Sequence, residues 1–393
     1  NNIPGLLYIS DDSEVLIDTG KPLQIADFDE FPLEIIGLSL LEPKHDGKEL
    51  SHYPVQLNHL RKNGAEIISM ITSAGCNFRC DYCPIPEMHQ FSERAKSPER
   101  MVLDMKQILE NVGKVTIFGS DDNSFAFKEE YLVELFTAMS KAEANGRPFK
   151  DALFYGTEAT EHQAFLYSHL FPLMRSGGLR AIWFGIEDLT AELVKKGQTP
   201  EKTIKVFSKM INNGIAPMPM MMHFDGQPLK TNSLEGILNQ TEFLKAHGAQ
   251  SIQVTYNTPS IGSKGYAEHF ARGRVLGQVG DLEVKWRHFD GNHVVSTTNE
   301  NPLERQENLM ACYERFYNMK NLLAAFFNYM KARANGNRFA RDIAEVALTL
   351  QLFGRRGIKI SKENLKQWKE NLETKIYKFT NKIPESPIPI ISI

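Results

Sequence analysis

Three cysteines fall within eight residues, Cys76, Cys80 and Cys83, in the stretch SAGCNFRCDYCPIPEMH. Thiolates so close in sequence can fold around one soft metal centre, and an iron–sulfur cluster of the 4Fe-4S type normally takes four cysteines. Only three are local here, because Cys312 lies far downstream in a helical context that reads as an ordinary buried thiol. A cluster held by three would keep one iron open to an external ligand, as a cluster needs for chemistry on a bound molecule rather than for electron relay alone. The competing reading is a structural zinc with His89 as fourth ligand, although zinc sites more often space their ligands as two pairs.

The cysteine loop follows a short β-rich run, AEIISMIT at 65–72, and that run is the first of six. KVTIF (114–118), DALFY (151–155), RAIWFGI (180–186), IAPMPMMM (215–222) and SIQVTY (251–256) follow at βα spacing, separated by stretches of helical period. Several of those stretches begin with Ser, Thr or Asn and most end in Gly, the start and stop chemistry of helices. Alternating β and α units give a parallel sheet with right-handed crossovers, with the working loops at the C-terminal ends of the strands. Six units are fewer than the eight of a closed barrel, so the expected fold class is α/β, a partial (β/α)6 barrel over residues 61–290. Residues 1–60 read as an irregular linker, and residues 291–393 as a mainly helical C-terminal region ending in a Pro-rich tail.

At 393 residues the chain has material for two or three domains. Its 45 Lys and Arg against 48 Asp and Glu leave a net charge of −3, with no basic stripe interleaved with aromatics, which argues against a nucleic-acid partner. No apolar run approaches the roughly 18 residues of a membrane span. Clustered cysteines without a secretory signal suit a reducing, cytoplasmic setting. The chain opens on Asn1 rather than Met, and a further upstream segment is expected.

Cys-x3-Cys with Tyr82 just before Cys83, at the end of a first barrel strand, resembles the signature of the radical S-adenosylmethionine (SAM) superfamily. FGSDDNSF at 118–125 ends the second strand where that superfamily recognises the methionine amino group, with Ser120, Asp121 and Asp122 after Gly119 in place of the commoner Gly-Gly-Glu. This version, together with YGTEAT (155–160), FGIEDLT (184–190), TPSIGS (258–263) and IPGLLY near the start, is similar to the subgroup associated with cobalamin-binding domains. The cobalamin domain itself is not in this chain, nor is the Asp-x-His-x-x-Gly pattern of cobalamin ligation. The resemblance implies that Cys76, Cys80 and Cys83 hold a 4Fe-4S cluster whose fourth iron binds SAM. One electron then cleaves SAM to a 5′-deoxyadenosyl radical that abstracts an unactivated hydrogen, while the protein supplies orientation and excludes water.

Supporting residues carry competing readings. Asp121 and Asp122 would accept hydrogen bonds from an ammonium group, or cap the following helix. Glu158 and Glu187 follow buried strands and point to the catalytic mouth, Glu187 resembling the ribose-contacting position of the superfamily. His223 faces SAM or substrate, or is a satisfied core histidine. The methionines at 218, 220, 221 and 222 read as barrel packing, and Gln253 and Thr255 alternate onto one side of the sixth strand, toward the barrel interior. Phe316, Phe326, Phe327, Tyr329 and Met330, near Lys320, Lys331 and Arg333, read as helix core rather than as a membrane-surface element.

The resulting expectation is a radical SAM methyltransferase acting on an unreactive carbon of a small natural product or lipid precursor, served by an electron donor such as flavodoxin or ferredoxin and by cobalamin through sequence outside this chain. A radical SAM oxidoreductase or cyclase without methyl transfer, and a zinc-stabilised binding module, are the competitors.

Overall fold

The six apolar runs become six parallel strands in a computed structural model that describes residues 3–10, 15–25, 27–39, 67–113, 115–119, 122–299, 301–384 and 390–392. They are β1 (Ile68–Met70), β2 (Val115–Gly119), β3 (Leu153–Ala159), β4 (Leu179–Glu187), β5 (Ala216–His223) and β6 (Gln253–Tyr256). Each pairs in parallel with the next, and their order in the sheet is their order in the chain. With right-handed crossovers, an order that never reverses keeps the connecting helices on one face, so the sheet curls into a partial barrel. A doubly wound sheet would reverse at a switch point.

The helices start and stop where their residues dictate. Ser97 caps α1 (Pro98–Val112) by accepting from the Arg100 N–H, and Gly113 ends it at φ 89°. Thr160 and Thr199 do the same at the starts of α3 (Glu161–Leu166) and α5 (Pro200–Asn212), with α2 (Glu129–Lys141) between α1 and α3, α4 (Phe171–Ser176) before β4 and α6 (Ile237–Ala246) after β5. Strand alternation then sorts the two faces. Ile182, Phe184 and Ile186 of β4 join Val206, Phe207 and Met210 of α5 in the main core, with the Phe184 and Phe207 rings stacked at 5.8 Å. Trp183 turns to the concave side, where Gly156 lets its ring approach: a Cβ there would lie 2.6 Å from it. Met218 and Met221 are buried packing residues, as their reading predicted.

An open sheet leaves an edge strand to satisfy. At β6 this is done by α7 (Pro302–Phe316) and the residue after it: the Tyr313 hydroxyl accepts from Val254 N–H and donates to Val254 C=O, and Tyr317 does the same for Ile252. Two tyrosines four residues apart thus replace a seventh strand.

The C-terminal region is helical, with α8 (Met319–Ala334), α9 (Arg338–Asn364) and α10 (Lys366–Glu373) following α7. It also holds β structure: β7 (Val275–Val279) pairs antiparallel with β8 (Leu282–Glu283) and with β9 (Tyr377–Thr380), about a hundred residues on. The β pattern was expected to stop near residue 300, but a four-residue strand whose partner lies so far away leaves no local period to read. The aromatic helix departs from expectation as well. Phe316 is buried, whereas Phe326, Phe327 and Met330 of α8 are exposed, because α8 meets the molecule through Ala325 and Ala332 on its opposite face.

Near the start, Leu7–Ile9 pairs with Leu16–Asp18, which in turn pairs with Ile390–Ser392. Asp29 and Phe31 offer backbone carbonyls to the Arg100 guanidinium, and Glu34 shares the buried Lys96 ammonium with Asp104, so this segment is tied to α1 by ion pairs. Among the described residues no helix is long and apolar enough to cross a membrane.

Candidate active site

The cysteine loop is a closed excursion from the end of β1. Ser73–Ala74 pairs antiparallel with Arg94–Ala95, so residues 75–93 leave and return through a two-residue ladder. Gly75 sits at the exit with φ 91°, and a Cβ there would fall 1.8 Å from the Ser92 carbonyl oxygen, so this position takes glycine only. Within the loop, Cys83 N–H donates to Cys80 C=O at 3.1 Å, a tight turn that sets those two cysteines together before the short helix Ile85–Met88. All three thiols are free and half-buried.

The loop is held from the end of β2. Asp122 accepts the Gly75 N–H, and its carboxylate lies 3.5 Å from His89 Nε2. Asn123, itself buried, points Nδ2 at Cys76 Sγ across 3.8 Å, while its Oδ1 is buried without a partner. Gly119 ends β2 against the Tyr155 ring and Thr72, with no room for a side chain. Ser120 and Asp121 lie outside the described residues.

A second group comes from β4. Glu187 terminates the strand at φ 62°, a left-handed conformation that a non-glycine residue holds only when its surroundings fix it. Its carboxylate meets Lys196 Nζ at 3.0 Å, and that ammonium stands 5.6 Å over the Tyr82 ring. Lys196 is aimed by its loop: Asp188 accepts the N–H groups of Glu192 and Leu193, and the Gln198 amide both donates to the carbonyls of Asp188 and Val194 and accepts the Lys196 N–H. Tyr82 in turn meets Phe224 edge to face at 6.4 Å, linking the cysteine loop to the end of β5.

The electrostatics favour thiolates on a metal over free thiolates. Burial pushes the Cys83 thiol up to about 11 and raises Cys76, opposed only in part by the backbone N–H groups of Ile85 and Phe78 and, more weakly, by Lys196. Burial alone would lower Lys196, but the Glu187 carboxylate beside it holds its pKa above the usual lysine value, so it stays charged. A metal centre would deprotonate the thiols outright. Three soft sulfur donors, an amide N–H aimed at one of them and a half-buried cation nearby form a donor set that suits an iron–sulfur cluster. His89, the imidazole of the zinc alternative, has both ring nitrogens engaged by Arg94 and Asp122. Among the described residues, no group of three or more His, Cys, Asp or Glu side chains is arranged to hold a single metal ion.

Other candidates are placed as follows. His223 is buried, with Gln227 at Nδ1 and Asn308 at Nε2, and burial beside Arg305 lowers its pKa to about 4; it is a satisfied core histidine in its contacts. Glu158 is half-buried opposite Trp183 on the concave side, and its carbonyl accepts the Ser124 N–H. Gln253 is exposed on the same strand face as Thr255, opposite Met220, while Val254 and Tyr256 face the core. Asn123 and Lys196 are the residues that sequence reasoning missed. Asn123 stands in the motif already singled out, so its place was the available signal; nothing in the run LVKKG separates half-buried Lys196 from exposed Lys195.

Residues 70–231 match the radical SAM superfamily. The chain carries a radical SAM domain. The enzymes of this superfamily use a 4Fe-4S cluster and SAM, and these are the cofactors of this domain. An uncharacterized methyltransferase from Synechocystis sp. is 26% identical over 190 residues, 47% of this chain and 32% of that protein. The chain therefore spans about a third of that relative's length. The cobalamin-dependent S-adenosylmethionine radical enzyme OxsB, solved with aqua-cobalamin and S-adenosylmethionine bound, superposes at a TM-score of 0.50 with 14% identity over 95% of this chain and 58% of its own, which shows a shared fold. The radical S-adenosylmethionine methyltransferase TsrM from Kitasatospora setae aligns at a TM-score of 0.42 with 18% identity, over 55% of this chain and 38% of its own.

Proposed function

We propose that this radical SAM domain is the catalytic part of a cobalamin-associated C-methyltransferase acting on a small natural product or lipid precursor. The observation that carries the site assignment is the meeting, at the C-terminal ends of β1, β2 and β4, of the free Cys76, Cys80 and Cys83 with Asn123 and the Lys196–Glu187 pair. In this reading the three cysteines hold the cluster, which when loaded supplies the electron that cleaves SAM. Asn123 donates to the Cys76 sulfur, a contact of the kind that raises a cluster's reduction potential. Lys196 keeps a positive charge beside the thiolates, and Glu187 fixes that ammonium in place. Tyr82 and Phe224 form an apolar wall next to the loop, helping to keep water from the reacting atoms. Beyond Phe224 lies a cavity of about 250 Å³ lined in part by Asn257, His269 and Arg274, which this reading gives to the substrate. Methyl transfer and cobalamin are supported by the subgroup resemblance and by the character of the methyltransferase relative.

The test is anaerobic reconstitution, with iron and sulfide, of the full-length protein including its cobalamin-binding sequence, then reduction by dithionite with SAM, with and without hydroxocobalamin. The expected outcome is iron and sulfide bound in a manner lost when Cys76, Cys80 and Cys83 are changed to Ala, 5′-deoxyadenosine on reduction, and S-adenosylhomocysteine only when cobalamin is present. Release of 5′-deoxyadenosine with no S-adenosylhomocysteine under either condition would favour the oxidoreductase or cyclase reading and overturn methyl transfer. Stoichiometric zinc with no sulfide would overturn the cluster assignment.

A further inference from the structure

The helical hairpin of α8 and α9 presents an apolar stripe that nothing among the described residues covers. On α8 the stripe runs through Met319, Leu323, Phe326, Phe327 and Met330, at spacings of i, i+4, i+7, i+8 and i+11 that fall on one face of a helix. Their exposures run from 44% to 64%, while Ala325 and Ala332 on the opposite face are buried. The Phe326 and Phe327 rings meet edge to face at 5.7 Å, so the stripe is a contiguous aromatic surface. At 3.6 residues per turn, Lys320 and Lys331 border it on one side and Arg333 on the other. On α9, exposed Leu352, Phe353 and Ile360 share a face with Arg356 and Lys359.

Charge decides what fits. Residues 319–364 hold nine Lys and Arg against three Asp and Glu, in a chain whose net charge is −3, so positive charge is segregated onto this hairpin. Lys320, Lys331, Arg333, Arg356 and Lys359 make no ion pair among the described residues, leaving them available to an outside anion. A helix with large aromatics on one face and lysines or arginines at its borders lies in the interface of an anionic bilayer, with rings among the acyl chains and cations at the headgroups. A second copy of the chain would bring the same positive borders together and repel. We propose that the α8–α9 hairpin docks this protein onto an anionic lipid surface, with α8 lying in the plane of the membrane.

The test needs neither cluster nor SAM, so its outcome is independent of the catalytic reading. The full chain is sedimented with vesicles of phosphatidylglycerol and phosphatidylcholine in equal amounts, and with vesicles of phosphatidylcholine alone, at low and at high salt. Binding at least ~10-fold stronger to the anionic vesicles and weakened by salt is expected. The double variant Phe326→Ser, Phe327→Ser should lose ~10-fold or more, and Lys331→Gln with Arg333→Gln a smaller factor. These residues are exposed, so an unchanged thermal transition and circular dichroism spectrum confirm that the variants fold. No sedimentation at millimolar lipid, equal binding to both vesicles, or binding indifferent to the double variant would overturn the proposal. So would a dimer at equilibrium that the double variant dissolves, or single-stranded RNA bound more tightly than the vesicles.

Discussion

Glu161 shows how a single buried group ties this fold to pH. It opens α3 almost completely buried, and the Thr203 hydroxyl donates to its carboxylate. Burial pushes its pKa up to about 7, the Thr203 bond opposing only in part. In the unfolded chain the group titrates in the ordinary carboxylate range, so the folded state binds a proton that the unfolded state has released between those two values. The stability tied to this proton is present in full below the unfolded pKa and is lost as pH rises through 7. Glu161→Gln keeps an acceptor for Thr203 and never ionises. The variant should be as stable as the parent at pH 5, and more stable at pH 8 by on the order of 2–3 kcal/mol. Urea unfolding at the two pH values measures this, and a Gln variant that gains nothing at pH 8 would show that Glu161 ionises without penalty. His223, also buried, has the opposite sign: its lowered pKa makes the native state refuse a proton that the unfolded chain accepts, so acid below about 6.5 works against the fold.

At the scale of elements, β2 and the cysteine loop are coupled through close packing. A Cβ on Gly119 would lie 2.6 Å from the Tyr155 ring and 2.8 Å from Thr72 Cγ2, and Tyr155 is buried with nowhere to retreat. Thr72 leads directly into Ser73 and Gly75, so pressure there is passed to the loop. Gly119→Ala should cost about 1–3 kcal/mol by overpacking and should lower the iron and sulfide retained per chain after reconstitution. A variant with full iron content and parental stability would show that the ring moves aside freely. The strands themselves were legible because their apolar runs are local, and so were helix caps such as Ser97, Thr160 and Thr199. The cysteine loop was legible because three thiols in eight residues have few other uses. What local pattern could not supply is the pairing of Tyr377–Thr380 with Val275–Val279, the two tyrosines that seal β6, and the choice of Lys196 over Lys195, which depends on Asp188 and Gln198 turning the loop. Phe326 and Phe327 were misjudged for a related reason: an apolar stripe states that a face wants cover, but not what supplies it.

Across the whole molecule, the barrel has its chemistry at one end of the strands and its C-terminal hairpin at the other. α9 reaches the segments that lead into β3, β4 and β5, where Arg338 pairs with Asp151, Arg175 pairs with Asp342, and Ile343 joins Ala181, Ala216 and Met218 in a small core. The Arg175–Asp342 pair joins residues 167 apart in sequence. The Arg175 guanidinium is buried and stacks 5.1 Å from the Phe339 ring, and burial lowers its pKa to about 10 although Asp342 opposes the shift. Gly214 lies beneath both side chains, and a Cβ there would come within 3.0 Å of each. Removing the carboxylate alone leaves a buried guanidinium with only the weaker influence of Asp151 to balance its charge. Asp342→Ala should therefore destabilise the chain by about 3 kcal/mol, whereas Arg175→Met combined with Asp342→Ala should recover most of the loss, since an apolar side chain stacks on Phe339 without needing a partner. The coupling between the two substitutions in a double-mutant cycle of urea unfolding is then about 2 kcal/mol or more. Additive losses would mean that the hairpin is held by Ile343 and its apolar neighbours alone, and that the ion pair only marks where it lands.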